Sequence, residues 1–295
     1  MQHTIFGYKR FRYLKITSLI MALSVIAYLL HTPAMRESYG GTWLGYVLGI
    51  ASALIAAVLQ WYGIRKRCPA SYREQGTKRH ANQDKLASRG GRSLQGWLSA
   101  HVYLGASLLV LATLHSGFQF GPDIHTLSYL LMIAVIGSGF YGVLAYLRFP
   151  RLITENMGED TLALLLIKIA ELDELALAKT AQFPEHIRTL VTKSCTDTRT
   201  GGNVFQLLSP HQEDCPTAAI VKQLPELGKE LKSVRREELR ELYSMLLRKQ
   251  KLLSRVRFDI MYKARLQFWL YLHAPLSIAF MTALTAHIIS ILFYW

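Results

Sequence analysis

The chain has 295 residues, is 51% hydrophobic, and carries a formal net charge of +14. Long apolar runs alternate with dense blocks of charge, a pattern of membrane spans and connecting loops that argues against an ordinary soluble domain. The positive excess therefore marks membrane topology, and no nucleic-acid partner is inferred from it.

Five spans are expected, at about 13–31, 42–62, 97–118, 127–148 and 267–294, each near the ~20 residues a helix needs to cross ~30 Å of hydrocarbon. The first, within "KRFRYLKITSLIMALSVIAYLL", has the basic flank of a signal peptide. The sequence after it, "HTPAMRESYGG", lacks a small-x-small cleavage site, and a second span follows soon, so it is read as a retained span. This gives an N-terminal two-span region (1–62), a basic loop (63–96), spans 3 and 4 (97–150), an insertion (151–265) and a last span (266–295).

Orientation follows from the basic residues. Lys9, Arg10, Arg12 and Lys15 precede span 1, and the 63–96 loop runs from Arg65, Lys66 and Arg67 through Arg89 and Arg92 with only Glu74 and Asp84 against them. The opposite loops hold Arg36 alone. The N-terminus and basic loop are therefore expected in the cytoplasm and Trp295 outside. The same basic loop also reads as a docking surface for anionic lipid or a partner. Cys68, Cys195 and Cys215 then lie on the reducing side. None forms a C-x-x-C or C-x-x-C-H, so zinc ribbons, iron–sulfur clusters and covalent haem find no support.

The 151–265 insertion has nearly balanced charge. "GEDTLALLLIKIAELDELALAK" reads as a helix with acidic residues in its first turn, and "KSCTDTRTGGNVFQLLSPHQEDCPTAA" as loops with one short element. From about Glu226 a single long helix runs into span 5. Leu239, Leu242, Leu246, Leu253, Val256 and Ile260 keep heptad spacing, interrupted by Lys249. A cytoplasmic helical hairpin is expected, serving as a structural cap or as a dock for a soluble partner. The fold class is thus all-α: an integral membrane bundle of five spans with a helical cytoplasmic insertion between spans 4 and 5.

"GSGFYG", Gly137 to Gly142, matches the dinucleotide fingerprint letter for letter but lies inside an apolar span, without the strand and turn that fingerprint needs. Its glycines suit close approach of a neighbouring helix or a flat ligand, and "GYVLG", Gly45 to Gly49, is the same kind of small-residue face.

Four histidines lie within spans, where an ionisable side chain is functional by default. "HVYLGASLLVLATLH" runs from His101 to His115, and "HAPLSIAFMTALTAH" from His273 to His287, with the same offset of fourteen residues. Fourteen residues at 100° come within about 40° of whole turns, so each pair shares a helix face, with its members ~21 Å apart along the axis. Spans 3 and 5 run parallel in this topology, so His101 faces His273 near the cytoplasmic side and His115 faces His287 near the outer side. Two facing imidazoles, twice over, are what two six-coordinate haems require. Gly105 and Ala112, each within a turn of a histidine, leave room for a porphyrin edge. Phe280 falls between the two levels, and Pro275 is expected to bend span 5. Arg89, Arg92 or Arg265 are the candidate partners of the inner propionates. The competing reading, four histidines packed by interhelical hydrogen bonds, does not account for the equal offsets.

The double H-x13-H pattern resembles the dihaem cores of membrane b-type cytochromes, including respiratory cytochrome b and ferric reductase or NADPH oxidase groups. "WLSAHVYLGASLLVLATLHSGFQFG", "YLRFPRLIT" and "RLQFWLYLHAPLSIAFMTALTAHIISILFYW" look closer still to a set of bacterial dihaem cytochrome b-like proteins. The resemblance covers spans 3 to 5. It implies that His101, His115, His273 and His287 bind two non-covalent b haems in a bacterial inner membrane. It also implies soluble iron–sulfur or flavin subunits inside and multihaem c-type cytochromes outside. A sixth span and a flavin or nicotinamide domain, parts of the ferric reductase pattern, do not follow span 5. The expected function is transmembrane electron transfer as a subunit of a redox complex. The alternatives are quinone chemistry beside the outer haem, with His31, His125 and Asp123 as proton acceptors, and metal-ion transport through the histidines. The spans contain no Asp or Glu, which disfavours the transporter.

Overall fold

The computed structural model describes residues 10–31, 39–67, 83–209, 215–227 and 233–293, the side chains of 39, 64–67, 83–95 and 233–234 excepted. Every regular element among them is helical: α1 (Arg12–Leu30), α2 (Trp43–Arg67), α3 (Gln83–Ser116), α4 (Ile124–Met157), α5 (Leu162–Thr180), α6 (Glu185–Thr196), α7 (Val204–Leu208), α8 (Pro216–Leu227) and α9 (Ser233–Phe293), with one 3-10 turn at Tyr39–Gly41. Five helical stretches, starting at Arg12, Trp43, Gly96, Ile124 and Arg235, are long and apolar enough to cross a membrane. The chain is an all-α, multi-pass membrane protein, with the shorter, less apolar α6, α7 and α8 between its fourth and fifth spans.

The chain divides into two compact units, one within Met1–Val143 and Leu270–Trp295, the other Leu144–Trp269. In the first, α2 packs along α3 and α1 lies on α3. Leu44, Leu48, Leu111 and Leu114 form one buried cluster, with Ile20, Ala27 and Tyr28 of α1 against it. Ala56, Leu108, Met132 and Phe280 form a second, where α2, α3, α4 and α9 converge. Elsewhere the unit turns large apolar side chains outward, among them Leu19, Leu29, Leu30, Ile50, Leu54 and Leu292. A helix that is apolar all round suits hydrocarbon, where there is no water to repel it.

Several hydroxyls in these spans satisfy themselves within their own helices, where no water is at hand. Thr17 donates to Tyr13 O at 2.9 Å, Ser52 to Leu48 O at 2.8 Å, Ser107 to Leu104 O at 2.9 Å and Thr285 to Met281 O at 2.8 Å. Between helices, Thr113 Oγ1 and Tyr129 Oη share a hydrogen bond of 2.9 Å. Helix α4 starts at a short turn in which Asp123 Oδ1 accepts from Thr126 N at 2.9 Å, a side-chain N-cap. That amide also holds the Asp123 carboxyl below the usual carboxylate range.

One expectation differs from the structure here. Helices α2 and α3 extend into the 63–96 stretch read as loop, to Arg67 and from Gln83. Lys, Arg and Gln are good helix formers, so polarity ended the apolar span without ending the helix. The rest of that loop, 68–82, lies outside the described residues. Helix α9 contains Pro275 within its length, as the sequence placed it.

The second unit is a small bundle, richer than the hairpin expected from sequence. Helices α5, α6 and α8 pack on the first half of α9 through a core that includes Ala176, Ile187, Val191, Ile220, Leu224, Leu242 and Leu246. Leu165, Ile169 and Leu172 of α5 meet Leu252, Leu253 and Val256. Helix α5 starts after Thr161, whose hydroxyl accepts from Leu164 N at 3.2 Å, so Glu159 and Asp160 precede its first turn instead of filling it. Asp160 instead binds Lys168 Nζ at 2.6 Å and Arg255 Nη1 at 2.8 Å. Arg255 also donates to the carbonyls of Asn156 and Met157, closing the C-terminus of α4, where Gly158 takes the left-handed conformation (φ +56°) of a helix stop.

Lys249, which breaks the heptad in sequence, is 1% exposed in the core. Its ammonium binds Asp173 Oδ1 at 2.6 Å and Ser194 O at 2.7 Å, joining α9 to α5 and α6. The two cysteines here differ: burial pushes the Cys195 thiol up to about 12. At Cys215 burial acts upward too, but the Arg257 guanidinium 3.1 Å from Sγ and the backbone amides of Ala218 and Thr217 together outweigh it, and the thiol lies below its ordinary value.

Removing one partner of a buried pair strands a charge, at a cost of about 3–5 kcal/mol. Asp173→Ala is therefore expected to destabilise strongly, and adding Lys249→Met to recover most of the loss, in denaturant unfolding of the full chain in detergent. Equal losses in the single and double variants would show that the pair is energetically idle.

Candidate functional site

The first unit brings His115 and His287 together, with ring centres 6.2 Å apart and planes at 78°. With metal–imidazole bonds of about 2 Å, the centres of two imidazoles on opposite sides of one metal ion stand about 6 Å apart. One level further along the same two helices, Leu108 and Phe280 share a buried cluster with Ala112 and Leu284 beside it. The matched steps from 108 to 115 and from 280 to 287 mean that α3 and α9 run parallel there. Phe280 packs there, two helical turns before His287 in the sequence.

The His115 ring is held from behind by α2. Its Nδ1 lies 2.7 Å from Gly45 O. A carbonyl only accepts, so Nδ1 carries the proton and Nε2 keeps its lone pair. The ring sits over Gly49, where a Cβ would fall 2.7 Å from His115 Cε1 and 2.9 Å from Nδ1. A glycine there is a packing requirement.

His273 is held from α4. Its Nδ1 lies 2.7 Å from Ser138 Oγ, and a Cβ on Gly139 would stand 3.5 Å from its Cε1. The His101 ring packs on Tyr62 of α2, with centres 5.0 Å apart. A methyl on Gly105, one turn from His101, would meet nothing within 4 Å, so there is open space beside that glycine.

His287 has a second imidazole neighbour. The His125 ring stands edge-on to it at 4.4 Å, and Asp123 Oδ2 lies 4.0 Å from His125 Nδ1. His287 Nδ1 is buried with no hydrogen-bond partner among the described residues. His31 packs instead against Trp43, at 5.7 Å. Arg89 and Arg92 fall in the first turns of α3, with side chains outside the described residues. In the second unit Arg265 donates to Leu208 O at 3.0 and 3.2 Å, an engagement with the end of α7 that its suggested propionate role did not anticipate.

Sequence reasoning passed over Gly45 O, Ser138, Tyr62 and the His125–His287 contact. The signal for the first two was in hand, because "GYVLG" and "GSGFYG" mark close-approach faces. What those faces approach is a histidine ring. No group of three or more His, Cys, Asp or Glu poised to hold a metal ion occurs among the described residues. A bis-histidine haem takes two protein ligands, with the porphyrin supplying the others. The donor chemistry fits such a group: imidazoles at membrane depth, two with Nδ1 engaged and Nε2 left as the ligand atom. Comparison with known protein families, curated proteins and solved structures finds no match to this chain.

Gly49→Ala puts a methyl into the His115 ring and must displace it from Gly45 O. The expected outcome is loss of whatever cofactor His115 binds, while Gly105→Ala, next to open space, leaves the apoprotein fold intact. Cofactor content and detergent melting temperature of the two variants check this.

Proposed function

We propose that this chain is a dihaem b-type membrane cytochrome that carries electrons across the membrane as a subunit of a larger redox complex. The observation that carries the reading is the His115–His287 pair, 6.2 Å apart on parallel helices, with His115 Nδ1 already committed to a carbonyl. In this reading His115 and His287 hold one haem, and His101 and His273 the other. When bound, each haem supplies a one-electron Fe(III)/Fe(II) couple.

The chain's own residues bind, orient and insulate. Gly45 O and Ser138 fix two of the imidazole rings and their tautomers, and Tyr62 covers a third. Leu108, Met132 and Phe280 keep the middle of the bundle dry, where charge is stabilised poorly and potentials are set by ligation and burial. The basic flank of α1 and the 63–96 stretch orient the N-terminus and the second unit to the cytoplasm of a bacterial inner membrane. There they would meet an iron–sulfur or flavin subunit, with a multihaem c-type cytochrome on the opposite side.

A second reading, quinone oxidation or reduction beside the His287 level, is favoured by one observation. His125, paired with Asp123, touches the His287 ring and is solvent-exposed. Loss of quinol-dependent reduction in His125→Leu, with reduction by dithionite retained, would select it.

The main reading is tested in sealed phosphatidylcholine vesicles holding ferricyanide. With the protein reconstituted, external dithionite is expected to reduce the trapped ferricyanide well above the rate of protein-free vesicles, and His115→Ala and His273→Ala each to abolish the gain. A wild-type rate equal to that of protein-free vesicles contradicts it.

A further inference from the structure

The geometry points to Ser138 as the residue that positions His273 and tunes the haem it would hold, an inference that rests on the dihaem reading. The Ser138 hydroxyl donates its one proton to Val135 O, at 2.8 Å. Toward His273 Nδ1, at 2.7 Å, it therefore acts as acceptor. That assigns the proton to Nδ1 and leaves Nε2 as the ligand nitrogen, the same tautomer that Gly45 O imposes on His115.

The arrangement is a repeated device. Two helices that carry none of the four histidines, α2 and α4, each reach behind a histidine of the neighbouring ligand helix. Each offers an oxygen to Nδ1 and a glycine close to the ring: Gly45 O with Gly49, and Ser138 with Gly139. An acceptor behind a metal-bound imidazole makes it a stronger donor, fixes the ring's rotation and favours the ferric state of the iron. At His115 that acceptor is main chain, so changing the side chain of the acceptor residue does not remove it. At His273 it is a side chain, so the potential of that haem is adjustable through residue 138.

The dinucleotide-like "GSGFYG" thus has a different use: Ser138 and Gly139 serve a ring, not a pyrophosphate. A serine present only for helix packing would be satisfied by Val135 O alone and would be replaceable by alanine without consequence for the cofactor.

The test is a potentiometric titration of the purified full-length protein, with haem per chain quantified, for wild type, Ser138→Ala and Ser138→Thr. Ser138→Ala is expected to move one of the two midpoint potentials upward, or to weaken retention of that haem by about 10- to 100-fold, the usual effect of losing such a support. The other potential stays in place. Ser138→Thr, which keeps the hydroxyl, restores the wild-type values. If wild type holds two haems and Ser138→Ala leaves both potentials and both occupancies unchanged, this inference is overturned alone. If wild type holds no haem, the dihaem reading falls and takes this inference with it.

Discussion

An imidazole carried inside an apolar helix gains from an acceptor for its N–H, because the surrounding hydrocarbon offers none and an unmet polar group there costs several kcal/mol. Two of the four span histidines find a partner on a neighbouring helix, while His287 Nδ1 is buried with no hydrogen-bond partner among the described residues. His115 is met by Gly45 O and His273 by Ser138. Both acceptors sit on neighbouring helices, so the requirement draws α2 against α3 and α4 against α9. The glycine at 49 lets the His115 ring come close enough to bond. At His115, where the partner is a carbonyl, Nδ1 carries the proton and Nε2 keeps a lone pair, the state in which imidazole binds a metal.

The five spans were legible because hydrophobic runs of sufficient length are an unambiguous signal in a chain whose remaining segments are densely charged. The equal H-x13-H offsets were legible because fourteen residues nearly close on whole helical turns. Side-chain partners across helices were not, since nothing in a linear sequence states which face of α2 meets α3. Ser138 illustrates the gap. A serine between two glycines reads as helix packing until a histidine ring is found 2.7 Å from its oxygen. Lys249 illustrates it again, since a lysine in a heptad stripe looks like an interruption until Asp173 and Ser194 are found beside its ammonium. The bundle of α5, α6 and α8 on α9 was missed for a related reason. Short amphipathic helices separated by Pro, Gly and Thr resemble loops when read locally, and it is tertiary burial that stabilises them.

The two histidine levels differ in ways that matter for the proposed electron path. At the His287 level an exposed imidazole and a carboxylate adjoin the ring, giving that end a polar outlet toward water. His101 and His273, which would form the other level, adjoin neutral partners, Tyr62 and Ser138 respectively. A path joining unlike ends can be coupled to the membrane potential, with about 2.3 kcal/mol per 100 mV for each charge that crosses the full field.

Whether the four histidines hold two b haems is read most directly from the reduced-minus-oxidised absorbance spectrum of the purified protein with haem counted per chain. Two non-covalent, low-spin b haems per chain are predicted, falling to one when His115 or His287 is replaced by alanine. Protein expressed with ample haem that carries none would contradict the account and return the four imidazoles to a packing role.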